Sequence, residues 1–171
     1  MKRWVFDLER IRGVANYQFE SEIGQKMFPD DVKIEYSRKT GRIKHIYLNG
    51  SLLATLRPTN GFFALTINGS KRLMSLVDYS RFRIVVHEDV ESFVREGRNV
   101  FAKHIVKANG KIRPGEEVVV INNKNVVLAV GKAVLSGEEM LAFNRGVAVK
   151  VRRGTEKQRL CGGLLKKSKK N

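Results

Sequence analysis

The chain has a single cysteine, Cys161, among its 171 residues. That excludes an intramolecular disulfide and any zinc site built on several thiolates. Its three histidines, His45, His87 and His104, share no ligand spacing, so no metal is expected. No run approaches the roughly 20 apolar residues that cross a bilayer. The opening MKRWVFDLER carries acids where a secretory leader needs an apolar stretch. These absences predict a cytoplasmic protein with no membrane association. The chemistry of an enzyme is missing as well. No glycine-rich phosphate loop has a recognised spacing. The paired carboxylates Glu116–Glu117 and Glu138–Glu139 read as turn and helix-cap charges without a His or Cys beside them. No catalytic residue and no cofactor is expected.

Acidic residues are also scarce relative to basic ones. There are 33 Lys and Arg against 17 Asp and Glu, a net charge of +16. Residues 1–80 carry +5, residues 81–154 carry +6 and residues 155–171 carry +5, so the excess is spread along the chain. A field of this sign concentrates polyanions, and the partner class it favours is nucleic acid. With 42% apolar residues the chain has enough material for a packed core.

Residues 7–28 contain helical spacing in Leu8, Ile11 and Ala15, with Asp7 as the cap and Pro29 as the stop. From Val32 the period becomes two. The runs VKIEYSR, RIKHIYL, SLLATL and FFALTI read as strands joined at Lys39-Thr40-Gly41, Asn49-Gly50 and Asn60-Gly61. Asn-Gly between apolar runs is a hairpin signal, because both central residues of a type I′ turn need positive φ. Asn68-Gly69-Ser70 is expected as a turn leading into a short helix, KRLMSLV.

A composition break over residues 76–83 separates a second half. There RIVVH reads as a strand, and Asp89 is placed as the cap of the helix VESFVRE, with Val90, Phe93 and Val94 on one face and Gly97 as terminator. VFAKHIVK is expected as a strand. The Asn109-Gly110 and Arg113-Pro114-Gly115 turns follow, then a hairpin of EVVVIN with VVLAVGKAVL through residues 122–125. Ser136 and Glu139 form a capping box on EEMLAF, and VAVKVR is the last strand. This order predicts a mixed β-barrel with two short helices.

That order, with FVREGRNVFAKHI, IRPGEEVVVIN, LAVGKAVLSGEEML and GVAVKVRRG, resembles the PUA domain, an RNA-binding module of tRNA- and rRNA-modifying enzymes. Upstream, ANYQF, SRKTGRI and the meander resemble the region that precedes this domain in archaeal tRNA-guanine transglycosylase and archaeosine synthase. The implied architecture is α+β: a small α/β module with an antiparallel meander over 1–78, a PUA-type barrel over 79–154, and a flexible basic tail over 155–171. The transglycosylase catalytic portion, a large barrel with an aspartate nucleophile and a cysteine-based zinc site, has no place in this sequence. The resemblance thus implies the RNA-holding portion without the active site.

In the resembled family RNA lies against the first helix of the barrel and the strand after it. Those positions fall here on Gly97, Arg98, Asn99, Phe101, Lys103 and His104. Gly97 either only ends the helix or also clears a path for the ligand. Regular alternation puts Phe101, Lys103, Ile105 and Lys107 on one face and Val100, Ala102, His104 and Val106 on the other. On that pattern Lys103 and Lys107 are the ligand-facing cations. Phe101 either stacks on an unpaired base or packs in the core, and His104 is a packed or surface side chain unless a bulge turns it outward. Lys150 and Arg152 point outward while Val149 and Val151 point inward, and with Arg153 and Arg113 they make a basic stripe for phosphates. Around the first hairpin Arg38, Lys39, Arg42 and Lys44 either extend this footprint or form a solvated loop. The tail either adds phosphate attraction or only solubility.

The sequence therefore predicts a non-catalytic RNA-binding protein that positions tRNA, by its acceptor stem and unpaired end, for a modification enzyme such as a transglycosylase supplied by another chain. The alternative is an rRNA-binding factor of ribosome assembly or translation. DNA is not an expected partner.

Overall fold

The computed structural model describes residues 3–19, 22–77 and 81–156. The expectations for the tail from Lys157 onward, for Cys161 and for the link at residues 78–80 lie outside the described residues. The chain divides into two compact units, residues 1–80 and 81–171.

The first unit begins with helix α1 (Arg3–Gln18), followed by α2 (Ile23–Met27). α1 starts ahead of Asp7, which is therefore not its cap; the Asp7 carboxylate accepts the Tyr36 hydroxyl instead at 2.8 Å. The buried stripe Leu8, Ile11 and Ala15 fixes the face that α1 presents to the core. Arg12 on the same helix locks the unit internally. Its guanidinium donates to the Phe28 carbonyl at 2.9 Å, to Glu9 at 3.1 Å and to Asp30 at 2.6 Å. Burial works against the charged form, but the hydrogen bonds to the two carboxylates outweigh it and the pKa is raised.

Four strands, β1 (Lys33–Tyr36), β2 (Ile43–Leu48), β3 (Ser51–Leu56) and β4 (Phe63–Leu65), form the antiparallel meander in sequence order. At the β2–β3 turn Asn49 and Gly50 have φ of 49° and 75°, the type I′ pair that matches strand twist. The β3–β4 link is longer: Arg57 N donates to the Phe62 carbonyl, and only Gly61 of its Asn-Gly pair has positive φ. The expected turn at Asn68-Gly69-Ser70 is instead the first turn of α3 (Ile67–Leu76). Thr66 captures it, because its hydroxyl accepts the Gly69 N–H at 3.1 Å.

The second unit holds β5 (Arg83–Val86), a 3-10 turn over Glu88–Val90, α4 (Glu91–Arg95), β6 (Val100–Phe101), a 3-10 turn over Ala102–His104, β7 (Ile105–Ala108), β8 (Glu117–Ile121), β9 (Val127–Ala133), α5 (Gly137–Ala142) and β10 (Val147–Gly154). The strand order is β6-β10-β9-β8-β5-β7, antiparallel except for β5 with β8. In a flat sheet β6 and β7 would lie roughly 24 Å apart at about 4.8 Å per strand. Only three residues join them, and four chain steps reach about 14 Å. The sheet consequently curls into a nearly closed barrel. Its interior is filled by Ile84, Val86, Val118, Val120, Leu128, Ala148 and Val149.

Three local expectations change here. Asp89 makes no cap; the helix is entered through the 3-10 turn after His87. Phe93 leaves the buried face of α4, being 48% exposed while Val90 and Val94 are buried. Val90 belongs to the 3-10 turn ahead of the five-residue helix, so a regular helical spacing counted from Val90 to Phe93 does not hold across the junction. VFAKHIVK is not one strand. The 3-10 turn at Ala102–His104 shifts the phase, so that Ile105 is buried whereas Phe101, Lys103 and Lys107 are exposed.

Candidate nucleic-acid interface

The end of α4 is built by local hydrogen bonding. Gly97 N donates to the Val94 carbonyl at 2.9 Å and Arg98 N to the Phe93 carbonyl at 3.0 Å. This is the Schellman pattern, and Gly97 takes the left-handed position with φ 95°. The chain therefore reverses abruptly from helix into β6. Arg98 folds back over the Phe93 ring, its guanidinium carbon 5.5 Å from the centroid. The Asn99 side-chain amide oxygen Oδ1 accepts the Val151 N–H at 3.1 Å, which ties the reversal to β10. Beyond it, Ala102 N donates to Gly146 O and His87 N to His104 O, both at 3.0 Å, which holds the 3-10 turn from two sides.

The result is a cleft of about 450 Å³ lined by Val90, Phe93, Val94, Gly97, Arg98, Asn99, Val100, Phe101 and His104. Five residues named from sequence, Gly97, Arg98, Asn99, Phe101 and His104, line it together. Of the two readings of Phe101, core packing is excluded by its 45% exposure. His104, half-buried, reaches the same cleft because the 3-10 turn breaks the strand alternation that separated it from Phe101. Phe93 was missed by the sequence reading, since helical spacing alone assigned it to the core.

The cations distribute differently. Lys103 and Lys107 are exposed along the 3-10 turn and β7 but do not line the cleft. Arg113 is exposed in the turn before β8, where its N–H donates to Glu116 at 3.0 Å. Lys150 is exposed on β10 and faces Lys132 on β9 in register. Lys132 was also missed: counting back from the β8–β9 turn pairs Glu117 with Gly131, but a bulge at Val120/Ile121 moves the partner to Lys132. A second irregularity, between Val151 and Arg153, breaks the alternation of β10. It leaves Val151 half-buried and both Arg152 and Arg153 exposed. Arg152 is engaged with Glu117 through both terminal nitrogens.

That pairing corrects the reading of Glu117 as a turn charge; it is a buried residue of β8. Glu116 accepts from Arg81 at 3.0 Å as well as from Arg113 N. Glu139 completes the capping box with Ser136. The Ser136 backbone N–H and then its hydroxyl hold the Glu139 carboxyl below its ordinary value, against a smaller effect of burial. Among the described residues no group of three or more His, Cys, Asp and Glu could hold a metal ion, and no helix is long and apolar enough to cross a membrane.

Comparison with known proteins matches residues 9–80 to the patch-forming domain C2 of tRNA-guanine transglycosylase and residues 82–155 to the PUA domain. Over 150 residues the chain is 45% identical to tRNA-guanine(15) transglycosylase of Methanothermobacter thermautotrophicus, covering 88% of this chain and 23% of that relative. The chain thus spans under a quarter of that relative's length. A hypothetical protein of Pyrococcus horikoshii OT3 superimposes with a TM-score of 0.71 at 27% identity, covering 87% of this chain and 90% of the other. A conserved PUA domain protein from Thermoplasma acidophilum superimposes at 0.65 with 19% identity, covering 90% and 91%, which shows the shared fold.

Proposed function

Because the chain is a PUA-domain protein that resembles the C-terminal region of archaeal tRNA-guanine transglycosylase, we propose that it is a non-catalytic RNA-binding protein holding tRNA, by its acceptor stem and unpaired end, for a modification enzyme. The PUA domain is an RNA-binding fold. On this reading residues 79–154 form the RNA-holding module.

The observation that carries the proposal is the cleft closed by Gly97. Two exposed aromatic rings, Phe93 and Phe101, stand at it with Arg98, and lysines follow along the next segment. An unpaired base finds a stacking surface there, worth about 1–3 kcal/mol in single-strand binders. Phosphates on either side find Lys103, Lys107, Arg113 and Lys150. Selectivity then comes from RNA shape and its unpaired end, since cations on a barrel rim carry no base code.

The test is equilibrium binding of a labelled tRNA transcript against a random duplex of equal length. The expected result is a Kd at or below about 1 µM, the tight edge of non-specific binding, with clear weakening when the unpaired 3′ end is removed. Equal binding to the duplex would refute the assignment to tRNA. Crosslinking followed by sequencing identifies the RNA directly, and a recovery dominated by ribosomal sequence would move the function to ribosome assembly or translation.

A further inference from the structure

The first unit carries an aromatic surface that the cleft by Gly97 does not use. On α1, Phe6, Gly13 and Tyr17 recur at spacings of seven and four, which places them on one stripe, opposite the buried stripe of Leu8, Ile11 and Ala15. Phe6 is 65% and Tyr17 80% exposed. The Tyr17 ring lies parallel to Phe62, within 2° and with centroids 5.9 Å apart. This pair is held by the residue next to it. The Gln18 side chain donates to the Phe63 carbonyl at 2.9 Å and accepts the Phe63 N–H at 2.6 Å, clamping the end of α1 to β4. Tyr17 thus lies parallel to and offset from Phe62, with most of its ring open to solvent, beside a strand fixed to α1 by two hydrogen bonds.

We propose that Tyr17, backed by Phe62, is a stacking platform for an unpaired base, with Arg10 holding an adjacent phosphate: a second RNA contact, on the first unit. Arg10 is exposed on the same helix face, seven residues and about 10.5 Å before Tyr17. Gly13 between them leaves open space above the helix, so a ribose-phosphate chain can pass close to it. The alternation of ring and cation decides the class of partner. An apolar protein surface seated here would desolvate Arg10 without neutralising it, whereas a single strand offers a π face to Tyr17 and an anion to Arg10 together. The net charge of +16 also disfavours a second copy of the chain as the occupant.

This inference rests on the RNA-binding reading, and the experiment separates the two. Binding of the full chain to a labelled 12-nucleotide oligouridine is measured by fluorescence anisotropy as a function of salt, for wild type, Tyr17→Ala, Tyr17→Trp, Arg10→Gln and Phe101→Ala. The expected result is a 5- to 140-fold loss for Tyr17→Ala, corresponding to about 1–3 kcal/mol per stacked base. Its salt slope and its thermal unfolding should stay unchanged, and Tyr17→Trp should restore affinity. Arg10→Gln should lower the slope by about 0.7, as for one phosphate of a single strand. Wild-type affinity in Tyr17→Ala, with weakened binding in Phe101→Ala, overturns the platform and leaves the RNA reading standing. Failure of the wild-type chain to bind either oligouridine or tRNA overturns both. A wild-type dimer in sedimentation that Tyr17→Ala converts to monomer, at unchanged RNA affinity, assigns the surface to protein and overturns the platform.

Discussion

Arg152 on β10 grips the buried carboxylate of Glu117 on β8 with both terminal nitrogens, across the intervening strand β9. The Glu117 side chain is 1% exposed and that of Arg152 34%. An arginine read from sequence as a phosphate ligand is therefore also the counter-ion of an internal charge.

Removing it leaves the carboxylate without that partner in a site that water barely reaches. Arg152→Met should cost about 3 kcal/mol, the low end for a broken buried pair because the arginine end is partly solvated. Glu117→Gln in the same chain should recover much of this loss. Urea unfolding checks both variants, and full stability of Arg152→Met would contradict the pairing.

Gly97 is expected to be intolerant of substitution for a backbone reason. At φ 95° a Cβ clashes with its own chain, so Gly97→Ala should destabilise the second unit by about 1–2 kcal/mol. Because the left-handed step also aims Arg98 over Phe93, RNA affinity should fall together with stability. Thermal unfolding and tRNA binding measured on the same preparation test the linkage.

Salt dependence reports which cations meet phosphate. With about five engaged, log affinity should fall with log salt at a slope of roughly −3 to −5. Neutralising Lys103, Lys107, Arg113 or Lys150 singly to Gln should each make the slope shallower by about 0.7–0.9 without destabilising the fold. A slope unaltered in all four variants would place the phosphates elsewhere.

The capping box titrates. Glu139 is held below its ordinary carboxyl value of 4.5 by Ser136, so its charged form is favoured in the folded state. The stability this contributes is present above about pH 4.5 and lost as pH falls through the lower folded value. Glu139→Gln should thus be less stable than wild type near pH 7 and should approach it below that value. Ser136→Ala should cost about 1 kcal/mol at neutral pH. Chemical denaturation at a series of pH values checks both.

Elements set by chemistry within a few residues were legible in advance. Asn49-Gly50 makes its hairpin, Ser136 and Glu139 their capping box, and Gly97 its helix stop, because each depends on φ preferences and hydrogen bonds to near neighbours. The candidate site was legible as a set of residues and illegible as a surface. Strand alternation put Phe101 and His104 on opposite faces, and only the three-residue 3-10 turn brings them to one cleft. Lys132 joins Lys150 through a bulge that no counting rule locates.

By itself the sequence determined the charge excess, the Asn49-Gly50 turn, the Ser136–Glu139 capping box, the Gly97 helix stop and most of the order of strands and helices, since these follow from composition and short-range stereochemistry. Tertiary structure alone decided that Phe93 and Phe101 face outward, that Ile105 turns inward, and that Arg152 answers to Glu117. Each of those outcomes depends on how the sheet curls and bulges when segments distant in the chain pair. A barrel closing over three residues leaves no room for regular alternation, and the side chains at that seam are sorted by closure itself.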